Sequence, residues 1–368
     1  MAEKLMEKNE ILVFYGNDIS GMAIRLAREA NLAGLIGNRG KRIGIKPNLV
    51  VARPASGGAT THPEIAAGLI TYLKENGFEN LVILEGAWTG ASTSEAFTVC
   101  GYRKLAGEMG VELIDTQTDR ARSCDCRGMN IEICESALAV DFMINLPVMK
   151  GHCQTLLTCA LKNNKGVIPD SEKRRFHSLG LTRPIAHLNT VVRNDFILVD
   201  AICGDLDFEE GGNPVYAGRM FAARDPVLCD AWAAVQMGYD LSAIPYIGLA
   251  EKLGIGSADL RNAKIRELNS GSGQLSGAVT PSGKVRQLAA NITENNSCSA
   301  CYASLIFALS RLGRLGQGRL KEKICVGQGF REKQRNLGVG QCCSGFKAFC
   351  PGCPPSGADI LAFLQNHL

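Results

Sequence analysis

The chain has 368 residues, 46% hydrophobic and 21% charged, and its 40 basic and 36 acidic side chains leave a net charge of +4. That length suits one large domain or two ordinary ones, each with its own core. The near balance of charge, with no polybasic run, argues against a nucleic-acid partner. The start, "MAEKLMEKNEILVFYG", places charges where a signal peptide needs an apolar run. The longest apolar runs, such as "YASLIFAL", fall far short of the roughly 20 residues a membrane helix needs. A cytoplasmic protein with no membrane partner is expected.

In chain order, "RIGIKPNLVV" (42–51) reads as a buried strand running into a loop at Lys46-Pro47-Asn48. "HPEIAAGLITYLKENG" (62–77) has apolar residues at helical spacing, a proline for the first turn and a glycine for the stop. "NLVILEGA" (80–87) is the next strand, "YRKLAGEMG" (102–110) a helix and "VELIDT" a strand. "DFMINLPVMKGH" (141–152) reads as a strand ending in a polar loop, and "FILVDAICG" (196–204) as another strand. This alternation predicts an α/β fold with a largely parallel sheet flanked by helices. The pattern breaks at "NSGSGQLSGAVTPSGK", so 1–270 is expected to form the α/β domain, 271–284 a Gly/Ser-rich linker and 285–368 a Cys-rich segment. That last segment offers a helix from "CSACYASLIFALS", two short apolar stretches, "KICVGQG" and "NLGVGQCC", and a terminal helix. It reads as a small α/β unit.

Polar residues gather at the predicted strand ends. Lys46, Asn48 and Lys150 sit at such ends, where ligands bind in open α/β sheets. Lys162 and Lys165, in "LKNNKG", add two more amines, and the set predicts a site for a small anion. His62, His152, His177 and His187 are candidate proton carriers or ligands, with capping or core roles as the alternative. The acidic run Asp200, Asp205, Asp207, Glu209, Glu210 follows a strand and is either a metal or substrate site or a solvated loop. Asp225 and Asp230 read as helix caps.

Eight of the fifteen cysteines are spread over 297 residues and seven fall in the last 71. Disulfides are a poor explanation in a reducing compartment, and a local concentration of thiols points to metal. Cys298-x-x-Cys301 and Cys350-Pro-Gly-Cys353 each offer two thiolates from one turn. Zinc and iron–sulfur both take four thiolates. The small apolar neighbours, and a proline directly after a ligand cysteine, favour iron–sulfur.

Two resemblances follow. Gly340-Gln341-Cys342 and Pro351-Gly352-Cys353-Pro354-Pro355 resemble the cluster site in the small subunit of nickel–iron hydrogenases and of complex I. Over these few dozen residues the resemblance implies Cys298, Cys301, Cys342 and Cys353 as ligands of one [4Fe-4S] cluster, with Cys343 and Cys350 as competitors. Over roughly 40–240, "KPNLV", "THPEI", "LEGA", "DFMINLPVMKGH", "LKNNKGVIP", "VDAI" and "RDPVLCDA" occur in the order found in the family catalogued as domain of unknown function number 362. That family is similar in fold to the lactate racemases that use a nickel-pincer nucleotide, which implies a two-lobed α/β architecture with a cleft. The racemases' cofactor-tethering motif is not evident, so their activity is not carried over.

The function expected is that of an iron–sulfur oxidoreductase or electron-transfer protein acting on a small anionic substrate. It would draw on His62, Lys150, His152, Lys162 and His177 for chemistry and on Lys46, Asn48 and Lys165 for binding. A redox partner protein fits the same reading. A flavin or other redox cofactor is compatible with a redox reading but unsupported, since no G-x-G-x-x-G follows a strand. The alternatives are an isomerase or racemase-like enzyme with a structural cluster, and a protein that delivers a cluster or metal.

Overall fold

The computed structural model describes residues 4–269, 283–314 and 322–367; of the expected linker, 271–282 lies outside the described residues. An eight-stranded sheet forms the large body. Glu112–Asp115, Leu81–Glu85, Ile43–Pro47, Phe142–Leu146 and Phe196–Asp205 lie side by side and run parallel. Pro214–Ala223 then runs antiparallel between Phe196–Asp205 and Glu10–Tyr15, and Lys264–Glu267 closes the edge.

Four of the five parallel strands are buried along their whole length because both faces are covered, while Glu112–Asp115, at the edge, is exposed to half-buried. Their side chains alternate between two cores. Val82, Leu84, Met143, Ile197 and Val199 face one, and Ile43, Ile45, Ile83, Ile144 and Leu198 face the other. Helices Ile19–Glu29, Pro63–Glu75 and Tyr102–Met109 cover the second face. Asp170–Ser178, Thr182–Leu188 and Pro226–Gln236 cover the first. Pro63–Glu75 carries proline at its first position, Glu64 in its first turn and Lys74 in its last, each favourable there.

The segment expected to end in a polar loop does more. After Phe142–Leu146, residues Lys150–His152 pair with Leu156–Thr158 in a short hairpin. Gly151 allows the hairpin to close on the neighbouring backbone: a Cβ there would stand 2.0 Å from the Leu206 carbonyl oxygen and 2.7 Å from the Asp207 nitrogen.

The C-terminal unit is a four-stranded parallel sheet in the order Ile292–Glu294, Ile324–Val326, Leu337–Val339, Ala348–Cys350. Helices Ser299–Arg314 and Gly357–Gln365 pack against each other and this sheet through Leu305, Ile306, Leu309, Ile360 and Leu364. Among the described residues no helix is long and apolar enough to cross a membrane.

Gly151→Ala should cost about 1–3 kcal/mol, the usual range for overpacking. Urea unfolding should show a lower midpoint with an unchanged slope.

Candidate active site

The large sheet switches direction between Ile43–Pro47 and Phe142–Leu146. From the first of these strands the chain steps outward to Leu81–Glu85 and Glu112–Asp115, then returns on the other side. Such a switch opens a crevice at the carboxyl ends of the strands. Three asparagines bridge it. Asn163 donates to Asn145 Oδ1 at 2.7 Å and accepts from Asn48 at 2.9 Å. The cleft above is lined by Asn48, Glu85, Trp88, Thr158, Lys162, Lys165, Lys173, His177 and Glu209, and by Cys298, Ser299 and Ala300 of the C-terminal unit. It encloses about 590 Å³, its mouth included.

Buried amines dominate its floor. Lys46 meets Glu85 at 2.5 Å with both side chains buried. Burial pushes the Lys46 amine down and the Glu85 carboxyl up, against the pull each exerts on the other. Gly166 lets the "LKNNKG" loop lie on this pair, since a Cβ there would meet Glu85 Oε1 at 2.0 Å. Lys173 donates to the Ala87 carbonyl at 2.7 Å and pairs with Asp170 at 3.1 Å.

Beside them stands a second group. His152 Nδ1 accepts the backbone N–H groups of Gln154 and Thr155 at 3.0 and 3.1 Å. Its proton is thereby placed on Nε2, which contacts the Glu209 carboxylate. Burial holds His152 down at about 4, so the ring is neutral. Burial alone would raise Glu209, but His152 and Lys162 hold it well below the usual carboxylate range. Lys162 lies 3.5 Å from the same carboxylate, whose Oε1 is buried with no partner among the described residues. Lys165 is different. Its amine touches His177 Nε2 at 3.2 Å and has no carboxylate partner among the described residues. Burial, then the charge of Lys162, brings it down to about 7. His177 Nε2 also faces the Ser299 hydroxyl at 3.3 Å, and the ring is held well below its ordinary value by burial and by Lys165.

Four thiols meet on the far side of Cys298. Cys298, Cys301, Cys342 and Cys353 line one small pocket with Arg174, Gly327, Gln328, Arg331 and Gly340. Each comes from the carboxyl end of a strand in the small parallel sheet or from the start of Ser299–Arg314. Gln328 donates to Cys298 Sγ at 3.7 Å, and Arg331 lies against the Cys342 thiol. Cys343 and Cys350 point elsewhere: Cys343 is buried with Cys325, Phe330 and Phe346, and Cys350 packs in the core under the terminal helix. Burial first, then neighbouring thiols, push Cys298 up to about 11 and Cys301 higher still.

Of the residues named from sequence, Asn48, Lys162, Lys165 and His177 line the cleft, with Lys46 directly beneath. Lys150 stands behind it, its amine held by the carbonyls of Ala59 at 2.5 Å and Glu209 at 2.8 Å. His152 acts on the cleft only through Glu209. His62 does not line it: its Nδ1 is tied to Asp200 at 2.8 Å at the start of Pro63–Glu75. His187 is bonded to the Cys126 carbonyl, away from the site. In the acidic run, Glu209 alone lines the cleft, while Asp205 accepts backbone N–H groups from Asp207, Phe208 and Asn213. Asp230 accepts from Ala160 and Leu161 as a cap. With Cys159 and Cys229 it also forms the one set of three candidate metal ligands within 4.8 Å of one another among the described residues. Sequence reasoning missed Trp88, Thr158 and Lys173. The spacing of Lys173 and His177, four apart on one helix, was the available sign for the last.

Residues 43–235 match the model of the family described as Domain of unknown function (DUF362). The chain belongs to this family. This DUF362 protein is 22% identical over 227 residues to the "Thylakoid-associated protein sll1697" of Synechocystis sp. (strain ATCC 27184 / PCC 6803 / Kazusa), covering 59% of the present chain and 69% of that one. Among solved structures it is similar to the lactate racemase apoprotein from Thermoanaerobacterium thermosaccharolyticum, with 14% identity and a TM-score of 0.38 over 58% of this chain. The chain spans about half, 54%, of the length of that structure.

Glu85→Gln should strand the Lys46 amine and destabilise the fold by about 3–5 kcal/mol, as breaking a buried pair does. The double change Lys46→Met with Glu85→Leu should recover much of that loss in denaturant unfolding. Binding of a small carboxylate or phosphate, read by calorimetry, should weaken as pH rises through about 7, where Lys165 loses its proton. Lys165→Met should bind more weakly and flatten that profile.

Proposed function

We propose that this protein is an iron–sulfur oxidoreductase. In this reading Cys298, Cys301, Cys342 and Cys353 hold one [4Fe-4S] cluster, and a small anionic substrate binds in the cleft. The observation that carries it is a shared wall: Cys298 lines both the thiol pocket and the lysine cleft.

The donor set suits a cluster better than a single ion. Four thiolates around one zinc at about 2.3 Å sit roughly 3.8 Å from one another. Here the four thiols surround a common pocket, yet no three of their sulfurs lie within 4.8 Å of one another among the described residues. That spread leaves room for an inorganic core. The Gln328 amide, Arg174, Arg331 and the start of the helix Ser299–Arg314 supply hydrogen bonding and positive charge to offset thiolates. When bound, the cluster supplies one-electron transfer.

The other roles belong to the chain. Lys162 and Lys165 bind the anionic group, and Asn48, Asn163 and Thr158 orient it. Glu209 Oε1 accepts from a hydroxyl or amine on the same molecule. Lys165 and His177, in contact and both held towards their neutral forms, pass a proton to or from it. Trp88 and Ala300 add apolar surface to the lining of the cleft.

A non-redox proton-transfer enzyme is the second reading. The Lys165–His177 pair favours it, since it needs no electron to act as a base. Solvent deuterium washing into a 2-hydroxy acid without reductant would support it.

Protein purified without oxygen should be brown, with about four irons and four sulfides per chain, and should give a paramagnetic signal on reduction. Cys→Ala at 298, 301, 342 or 353 should lose the iron, whereas Cys343→Ala and Cys350→Ala should keep it. Colourless protein with one zinc per chain would overturn the proposal.

A further inference from the structure

The thiol pocket has an inner and an outer side. Inside, Cys298 and Ser299 face the cleft. Outside, Cys353 is exposed and Cys342 partly so. The surface around that outer side is basic. Arg174 and Arg331 line the pocket itself. Arg331 opens a loop, 331–336, in which every residue is exposed and which carries Lys333 and Arg335. Lys347, also exposed, is brought to the same rim by its backbone N–H, which donates to the Arg335 carbonyl at 2.9 Å. Between residues 322 and 347 there are five basic side chains (Lys323, Arg331, Lys333, Arg335, Lys347) and two acidic ones (Glu322, Glu332). Among the described residues none of these cations, nor Arg174, is in an ion pair. Glu322 is occupied by Asn336 at 3.0 Å, and the nearby Asp359 by Ser356 at 2.6 Å.

We infer that this rim is the docking surface for an acidic electron-carrier protein. The inference rests on reading the thiol pocket as an iron–sulfur site. A one-sign patch around an exposed redox edge steers a partner of opposite charge, speeds encounter and leaves the complex weak enough to part after each transfer. Each encounter moves one electron from the reduced carrier into the pocket's centre, and the carrier leaves oxidised; no proton moves in that step. Electrons then enter at Cys353 and leave towards the substrate at Cys298, so the two partners never compete for one opening. A nucleic acid fits less well: among the described residues the patch is short, and no exposed aromatic side chain is interleaved with its charges.

The test uses the full chain, purified anaerobically, with an acidic [2Fe-2S] ferredoxin as probe. Calorimetry should show binding that weakens at least ~10-fold between low and near-physiological salt. The triple change Lys333→Glu, Arg335→Glu, Lys347→Glu should weaken it by ~10–100-fold. Arg331 is left in place because it touches Cys342. Reduction of the triple variant by dithionite should proceed as in the parent, and Lys104→Glu, on a distant helix, should change nothing. Salt-independent binding, an unchanged triple variant, or equally tight binding of a short DNA duplex would overturn the docking inference. A parent protein that carries no iron would instead remove the reading beneath it. If the triple variant does not fold, Lys347→Glu alone and the salt titration of the parent decide the question in the same directions.

Discussion

Burying ammonium groups is the constraint on which the large body turns. Lys46, Lys150 and Lys173 are buried, and Lys162 and Lys165 are partly so, all at the carboxyl edge of one sheet. A buried charge must be paired, hydrogen-bonded or neutralised. Each lysine meets that demand differently: a carboxylate for Lys46, carbonyl oxygens for Lys150, both kinds of partner for Lys173 and a share of Glu209 for Lys162. Lys165 is left with an imidazole. The asparagine bridge, the tautomer of His152 and the close approach at Gly166 all serve this arrangement.

The C-terminal unit repeats the same architectural rule on a smaller scale. Its strands are also parallel, and its thiols also gather beyond the carboxyl ends. The two edges meet across Asp170–Ser178. That helix turns Lys173 and His177 to the cleft and Arg174 to the thiols, while Gln328 bonds both the Arg174 carbonyl, at 2.9 Å, and Cys298. A loop of the large body completes the seam, for a Cβ on Gly90 would stand 2.1 Å from Pro354, next to Cys353.

Much of this was legible in the sequence because it rests on local signals. Short continuous apolar runs located the parallel strands, and a period-3.6 apolar pattern located the helix Pro63–Glu75. Lysines at strand ends marked the cleft, and Cys-x-x-Cys marked the tail. What escaped depends on contacts far apart in the chain. That His62 is tied to Asp200, 138 residues away, and stands outside the cleft had no local sign in the sequence. Lys173 sits in the charged run "DSEKRRFHS" and is nonetheless buried, its amine on the Ala87 carbonyl 86 residues away. Lys150–His152 read as loop because a three-residue strand has no period of its own. Cys350 had the same spacing credentials as Cys298, and only the direction of its strand sends its thiol into the core.

The seam carries a consequence for how such proteins are assembled. The family match ends at residue 235, yet one wall of the lysine cleft is Cys298, Ser299 and Ala300. The family module by itself is an open half-site whose missing jaw arrives on a separate structural unit. A chain that joined the same module to a different tail would keep the lysine-lined floor and exchange the wall that faces it.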